Sequence, residues 1–200
     1  MKSPPRLLLA STSPYRRALL ERLSLPFESR APGLDETAQA GEAPARLAAR
    51  LALGKAQRIA AGDADACVIG SDQVAVLADA DGIERVLGKP GTAGRCIEQL
   101  AACSGRSVTF LTAVAVLRAG DGTRIEFLDT TRVRFRRLDA ATIERYVAAE
   151  APFDCAGGFK CEGLGIALFE SIDSTDPTAL IGLPLIRLAA ALRECGFQLP

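Results

Sequence analysis

Histidine is absent from all 200 residues of the chain. That absence excludes the imidazole proton shuttle, Ser/His and Cys/His nucleophile pairs, and any zinc site that needs an imidazole ligand. Ionic chemistry is left to carboxylates, lysines and arginines. A bound metal would then be a hard cation held by oxygen, with Mg2+ or Mn2+ favoured over zinc. Net charge is missing too: 24 basic and 24 acidic residues cancel, so no overall positive field holds nucleic acid, and an anionic ligand must be met by local groups. No stretch approaches the roughly 18 apolar residues of a membrane span. The run Leu7-Leu8-Leu9-Ala10 is short and soon followed by Arg16-Arg17, so it reads as a buried strand and not as a signal peptide. The six cysteines (Cys67, Cys96, Cys103, Cys155, Cys161, Cys195) form no C-x-x-C pair, which fits reduced thiols in a cytoplasmic protein.

What is present is a 48% hydrophobic chain long enough to bury a core, as one domain or one domain with a small lobe. Residues 7–10 form a first strand, and Ser11-Thr12-Ser13-Pro14 starts a helix to about residue 23, with Ser13 as N-cap and Pro14 at its first position. Strand and helix start meet where backbone N–H groups can receive phosphate. A second strand over residues 27–29 leads to the acidic turn Asp35-Glu36-Thr37, and the spacing of Leu47, Leu51 and Ile59 predicts a helix over 44–61. A buried strand over 67–70 delivers Ser71-Asp72-Gln73 at its end. Strands over 74–78 and 85–87 then flank the hairpin loop Asp79-Ala80-Asp81-Gly82. Thr92 caps a helix to about Cys103, strands over 107–118 and 123–136 bracket Gly120-Asp121-Gly122, and Asp139 caps a helix to Glu150. Four glycines within residues 154–165 mark a candidate binding loop, before a strand over 166–172 and a last helix over 184–195. This alternation without repeats predicts an α/β class with a mixed sheet.

Lysine is scarce, with four lysines against twenty arginines. Lys2 is terminal, Lys55 lies in a helix, and Lys89 and Lys160 lie in Gly-containing turns, where a compact ammonium can meet a phosphate oxygen. The competing reading is that three of the four are surface residues. Asp72, directly after an apolar strand, is placed where α/β proteins face ligands, although such an aspartate is as often a turn residue. Glu36 is a second carboxylate able to share a divalent ion with it or to divide the metal and base roles. Arg132, Arg134 and Arg136 alternate along one strand, as a solvated face or as a basic ridge for nucleic acid or a dimer contact.

Taken together and in order, the motifs resemble the Maf family. They are Ser11-Thr12-Ser13-Pro14-Tyr15-Arg16-Arg17, Asp35-Glu36-Thr37, Lys55-Ala56, Gly70-Ser71-Asp72-Gln73, Gly88-Lys89-Pro90, Phe110 with Thr112, Ala156-Gly157-Gly158-Phe159-Lys160 with Glu162-Gly163, and Gly182-Leu183-Pro184. The resemblance implies an elongated mixed sheet flanked by helices, similar to inosine triphosphatase-like proteins, in a single domain over residues 1–200 that is whole or set in two lobes around a central cleft. It also implies a homodimer and hydrolysis of a nucleoside triphosphate between its α and β phosphates with a divalent cation, Mg2+ or Mn2+. Asp72 matches the catalytic aspartate, acting on water as proton acceptor or through the metal, and Glu36 and Asp72 are the candidate metal-binding carboxylates. Ser11, Arg16, Glu36, Lys55 and Lys89 match positions that line the substrate site.

Tyr15, Gln73 and Glu162 match the family's specificity positions and are similar to the branch that hydrolyses 7-methyl-GTP, not the dTTP and UTP branch. Methylation at N7 makes the guanine ring cationic. An aromatic face at Tyr15 and a carboxylate at Glu162 suit a cationic base. Alternatives are pyrophosphatase activity on dTTP, UTP or other modified nucleotides, and a regulatory binding protein linked to septum formation. No nucleic-acid or membrane partner is expected.

Overall fold

The computed structural model describes residues 5–63, 65–78 and 82–200. Lys2 and residues 79–81 of the expected hairpin loop lie outside them. In chain order the elements are β1 (Leu7–Leu9), α1 (Pro14–Glu21), β2 (Phe27–Ser29), α2 (Pro44–Ala60), β3 (Cys67–Ala78) and β4 (Glu84–Leu87). Then follow α3 (Ala93–Cys103), β5 (Ser107–Arg118), β6 (Thr123–Phe135), α4 (Ala140–Glu150), β7 (Phe169–Asp173) and α5 (Leu185–Glu194). The strands make a seven-stranded sheet of order β2-β1-β3-β5-β6-β7, with β4 paired to β3. β1 runs parallel to β2 and β3, whereas β4 is antiparallel to β3 and β7 to β6. This is the expected α/β class with a mixed sheet flanked by helices.

Capping chemistry explains the helix starts. Ser13, Thr92 and Asp139 each accept the backbone N–H three residues on, and Pro occupies the first turn of α1 and α2, where its missing N–H is not needed.

Three expectations are corrected. β3 does not stop at Gly70 but runs unbroken from Cys67 to Ala78. Asp72 is therefore a mid-strand residue and not a strand-end one, because the polar Ser71 and Asp72 find partners within the fold and need no solvent. The expected strand over 166–172 begins only at Phe169; Gly163 precedes a 3-10 turn over Leu164–Leu168, and Gly165 lies within that turn, where a Cβ would overlap the Lys160 carbonyl. Helix α1 ends at Glu21, short of residue 23.

The chain forms two compact units. The first comprises Met1–Asp72, Thr112–Asp129 and Asp176–Pro200. Its packing follows the period-two alternation of strands. On one face Leu7, Leu9, Cys67 and Ile69 pack with Leu19 and Leu20 of α1 and Leu188 and Leu192 of α5. On the other face Leu8, Ala10 and Val68 pack with Ala56 and Ala60 of α2. Gly70 continues the second face. A Cβ there would overlap the Ala52 carbonyl oxygen and lie 2.7 Å from Ala56 N, so only glycine lets α2 approach β3 this closely.

The second unit comprises Gln73–Leu111 and Thr130–Thr175. Its core holds Phe110, Phe135, Phe159 and Phe169, linked by edge-to-face contacts with centroids 4.8–5.6 Å apart. On β6, Arg132 and Arg134 are exposed and interleaved with acids of β7: Arg132 stands opposite Asp173, and Arg134 pairs with Glu170 at 3.4 Å. Arg136 lies just beyond the strand.

Candidate active site

The strand alternation that packs the first unit also sorts its polar side chains. Asp72 lies two residues after Gly70 and shares its face, toward α2, where Lys55 is the residue before Ala56. Lys55 Nζ donates to Asp72 Oδ1 at 2.6 Å and lies 2.6 Å from Glu36 Oε1. The lysine side chain is 6% exposed and that of Asp72 10%, while Glu36 is 55% exposed. One buried ammonium thus holds two carboxylates that are distant in sequence, with their bonded oxygens within twice that distance of each other. Lys55 is tolerated inside an apolar helix face because both charges compensate it.

Glu36 is delivered by a stiffened turn. The Thr37 backbone N–H and hydroxyl both donate to Asp35 Oδ1, at 2.9 and 2.7 Å. Arg50 of α2 donates to the Thr37 carbonyl at 3.1 Å and, from two nitrogens, to Glu42 at 2.6 and 2.8 Å. That fork of charged hydrogen bonds holds the Glu42 carboxyl down at about 2, the Arg50 bonds outweighing desolvation.

Ser71 and Arg16 meet on the opposite face. Ser71 Oγ and Arg16 Nε both donate to the carbonyl of Gly182, each at 3.0 Å. Arg16 projects from the first turn of α1. Desolvation lowers the basicity of its guanidinium while the charges of Asp72 and Glu36 oppose that shift, so Arg16 is within electrostatic reach of both acids. Ser11 is buried, and its hydroxyl accepts the Ser13 N–H at 3.1 Å. Tyr15 is half-buried in α1 beside Arg16.

Of the residues expected from sequence, the structure therefore brings Glu36, Lys55 and Asp72 into contact and leaves Arg16 within electrostatic reach of both acids, with Ser11 and Tyr15 on the adjoining segment of the same unit. Gln73, Lys89 and Glu162 belong to the second unit. Lys89 is exposed in the turn after β4, Gln73 is half-buried in β3, and Glu162 is exposed and accepts the Cys161 thiol at 3.4 Å. Burial first, and then the Glu162 carboxylate, pushes that thiol up to about 12. Lys160 donates to the Glu150 carbonyl at the end of α4, 3.3 Å away, the end of a helix dipole that favours a cation.

Sequence reasoning gave no role to Ser71, Thr112 or Gly182. All three stand in the motifs quoted above, but Ser71 and Thr112 act by donating to distant backbone carbonyls and Gly182 by offering the carbonyl that accepts from Ser71 and Arg16, which no spacing reveals. Thr112 Oγ1 donates to the Ala179 carbonyl at 3.0 Å, so both ends of the turn over residues 179–182 are tied down.

Two cations and two carboxylates gathered where a strand, two helices and a tight turn converge define an α/β protein equipped to meet a multiply charged anion through a few fixed groups. The fold is similar to that of a HAM1 protein from Coxiella burnetii, with a TM-score of 0.53 at 16% identity over 95% of this chain and 99% of that one. At that identity the likeness shows the fold alone. The chain itself belongs to the Maf family, whose Maf-like protein profile matches residues 6–195. Proteins named 7-methyl-GTP pyrophosphatase are similar to it throughout. That of Xanthomonas axonopodis pv. citri is 56% identical over 98% of this chain and 100% of its own length. That of Alkalilimnicola ehrlichii is 53% identical over 100% and 98% respectively, and that of Pseudomonas aeruginosa 52% over 98% and 100%.

Proposed function

We propose that the protein hydrolyses 7-methyl-GTP to 7-methyl-GMP and diphosphate, clearing a modified nucleotide from the cytoplasm. The observation that carries the reaction type is the Lys55 ammonium held between Asp72 and Glu36 with Arg16 in their field. The substrate rests on relatives above half identity that bear that name. A single family profile over residues 6–195 supports one Maf-like domain.

Cleavage of a phosphoanhydride needs charge neutralisation and alignment more than a covalent nucleophile. A bond forms from a water oxygen to phosphorus and the α–β bridging P–O bond breaks, so the products are a monophosphate and diphosphate. Asp72 takes the proton of the attacking water. Lys55 and Arg16 hold phosphate oxygens, Lys55 as a point charge and Arg16 as a fork. Ser11 and Lys89 complete the substrate-contacting set by their motif positions.

The donor chemistry of Asp72 and Glu36 fits Mg2+ or Mn2+, which bind through one or two carboxylates together with phosphate oxygens. Among the described residues no group of three or more acidic or cysteine side chains forms a protein-only metal site. A divalent ion so held would neutralise charge on the triphosphate.

Tyr15, Gln73 and Glu162 are assigned to base selection. A panel of triphosphates assayed for diphosphate release with Mg2+ or Mn2+ tests the reading. The expected result is turnover of 7-methyl-GTP well above GTP, dTTP and UTP, and equal turnover of GTP and 7-methyl-GTP would sink the specificity. Tyr15→Arg with Glu162→Gln should weaken the cationic base selectively; a uniform loss would remove those two side chains from the assignment. The family resemblance adds a homodimer, for which light scattering should give twice the chain mass.

A further inference from the structure

We infer that Ser71 is a positioning residue for Arg16, acting through the carbonyl oxygen of Gly182. The inference rests on the reading above that Arg16 meets phosphate.

An arginine at the start of a helix has many rotamers, and a phosphate ligand must order them at an entropic cost. Here one N–H is already committed, because Arg16 Nε donates to Gly182 O at 3.0 Å. Fixing Nε fixes the guanidinium plane and leaves the Nη groups as the part able to grip an anion through two parallel hydrogen bonds. The quality of that grip depends on how firmly the carbonyl is held.

The carbonyl is held from several sides. Gly182 has φ 122°, a conformation that favours glycine, and a Cβ there would lie 3.4 Å from Arg16 Nε. Ser71 Oγ, fully buried, donates to the same oxygen at 3.0 Å, so both lone pairs of the carbonyl are used. The other end of the turn is pinned by Thr112. Just before it Asp176 accepts the Thr178 N–H and hydroxyl at 2.8 and 2.6 Å and the Ile186 N–H at 2.7 Å, which ties the turn to the start of α5. Ser71 is the one member of this frame that shares an oxygen with Arg16, and it is chain neighbour to Asp72. Without it the oxygen keeps Arg16 as donor but loses the bond that aims it.

A double-mutant cycle tests this. Ser71→Ala should lower kcat/KM for the triphosphate about tenfold, the effect of one lost buried hydrogen bond to a carbonyl, mainly through KM if Arg16 binds the ground state. In an Arg16→Met or Arg16→Lys background, neither of which keeps an Nε donor, Ser71→Ala should change kcat/KM by less than about twofold. The same factor in both backgrounds would overturn the inference and leave Ser71 a packing residue. Ser71→Cys, which keeps volume with a weaker donor, should fall between Ser and Ala; if Ser71→Ala does not fold, an effect of Ser71→Cys that persists without the Arg16 Nε overturns the inference equally. The cycle is read a second time as calorimetric affinity for an α,β-methylene triphosphate, which needs no turnover. Coupling in that binding cycle together with a wild type that hydrolyses no triphosphate would reject the proposed reaction and keep the positioning role. Additive binding effects in an active enzyme would do the reverse.

Discussion

Lys55 is the residue on which the site's electrostatics turn, since its ammonium bonds two acids of very different exposure. Removing one partner of a buried pair costs about 3–5 kcal/mol, because the other charge stays behind without compensation, whereas an exposed partner contributes little. Lys55→Met should therefore lower stability in urea unfolding by about 3 kcal/mol, nearly all of it through Asp72, and reduce hydrolysis by at least about a hundredfold. Asp72→Asn keeps the shape and should cut diphosphate release by about a thousandfold with secondary structure intact; near wild-type turnover would remove Asp72 from the proton-transfer role. The chemical types of these groups were legible in the sequence, because no histidine competed and lysines were few. Their meeting was not, because it depends on α2 lying against β3, and the role of Ser71 was hidden for the same reason.

Among the elements, helix starts and long strands were readable because their determinants are local: a capping hydroxyl or carboxylate, a proline at the first position, an alternating apolar pattern. The span of β3 was not. Ser71-Asp72-Gln73 looks like a strand end by polarity, and only the tertiary partners of Ser71 and Asp72 make it strand interior. The contact of α2 with β3 is set by Gly70, so Gly70→Ala should destabilise the protein by about 2 kcal/mol, as overpacking does, and lower activity in parallel as Lys55 and Asp72 separate; chemical unfolding and the hydrolysis assay check both. The segment bearing Glu36 depends on Arg50. Glu42, held at about 2 against an ordinary 4.5, adds stability that is complete above the ordinary value and is lost as pH falls through the depressed one. The stability advantage of wild type over Arg50→Ala should accordingly persist at pH 6 and shrink between about pH 4.5 and 2, read from acid-unfolding curves.

For the molecule as a whole, cancelling charges and six unbridged cysteines decide behaviour in solution more than any single contact does. Balanced charge predicts no salt-sensitive RNA affinity by fluorescence anisotropy, and acids interleaved with the arginines of β6 leave no uninterrupted ridge to supply one. Four of the cysteines are buried, and Cys155 and Cys161 are half-buried. Because the Cys161 thiol is pushed up to about 12, its thiolate is scarce at pH 8. Mass-spectrometric footprinting with iodoacetamide on the native protein should find Cys161 slow despite its partial exposure, and Glu162→Gln should quicken it. No helix among the described residues is long and apolar enough to cross a membrane.

Ser71 and Asp72 are consecutive residues of one extended strand, and each serves a different face. The spacing between the anchor of Arg16 and the carboxylate paired with Lys55 is therefore inherited from a single peptide unit, about 3.8 Å from one Cα to the next, and not from the closing of a loop. Thermal motion of the surrounding helices alters what these two side chains meet, but hardly the gauge between them. The vulnerability has the same origin: an insertion or deletion of one residue between Cys67 and Gly70 would exchange the faces of both at once, so tolerance of length changes should fall to nothing at this point of the chain while remaining ordinary in the turn between β5 and β6.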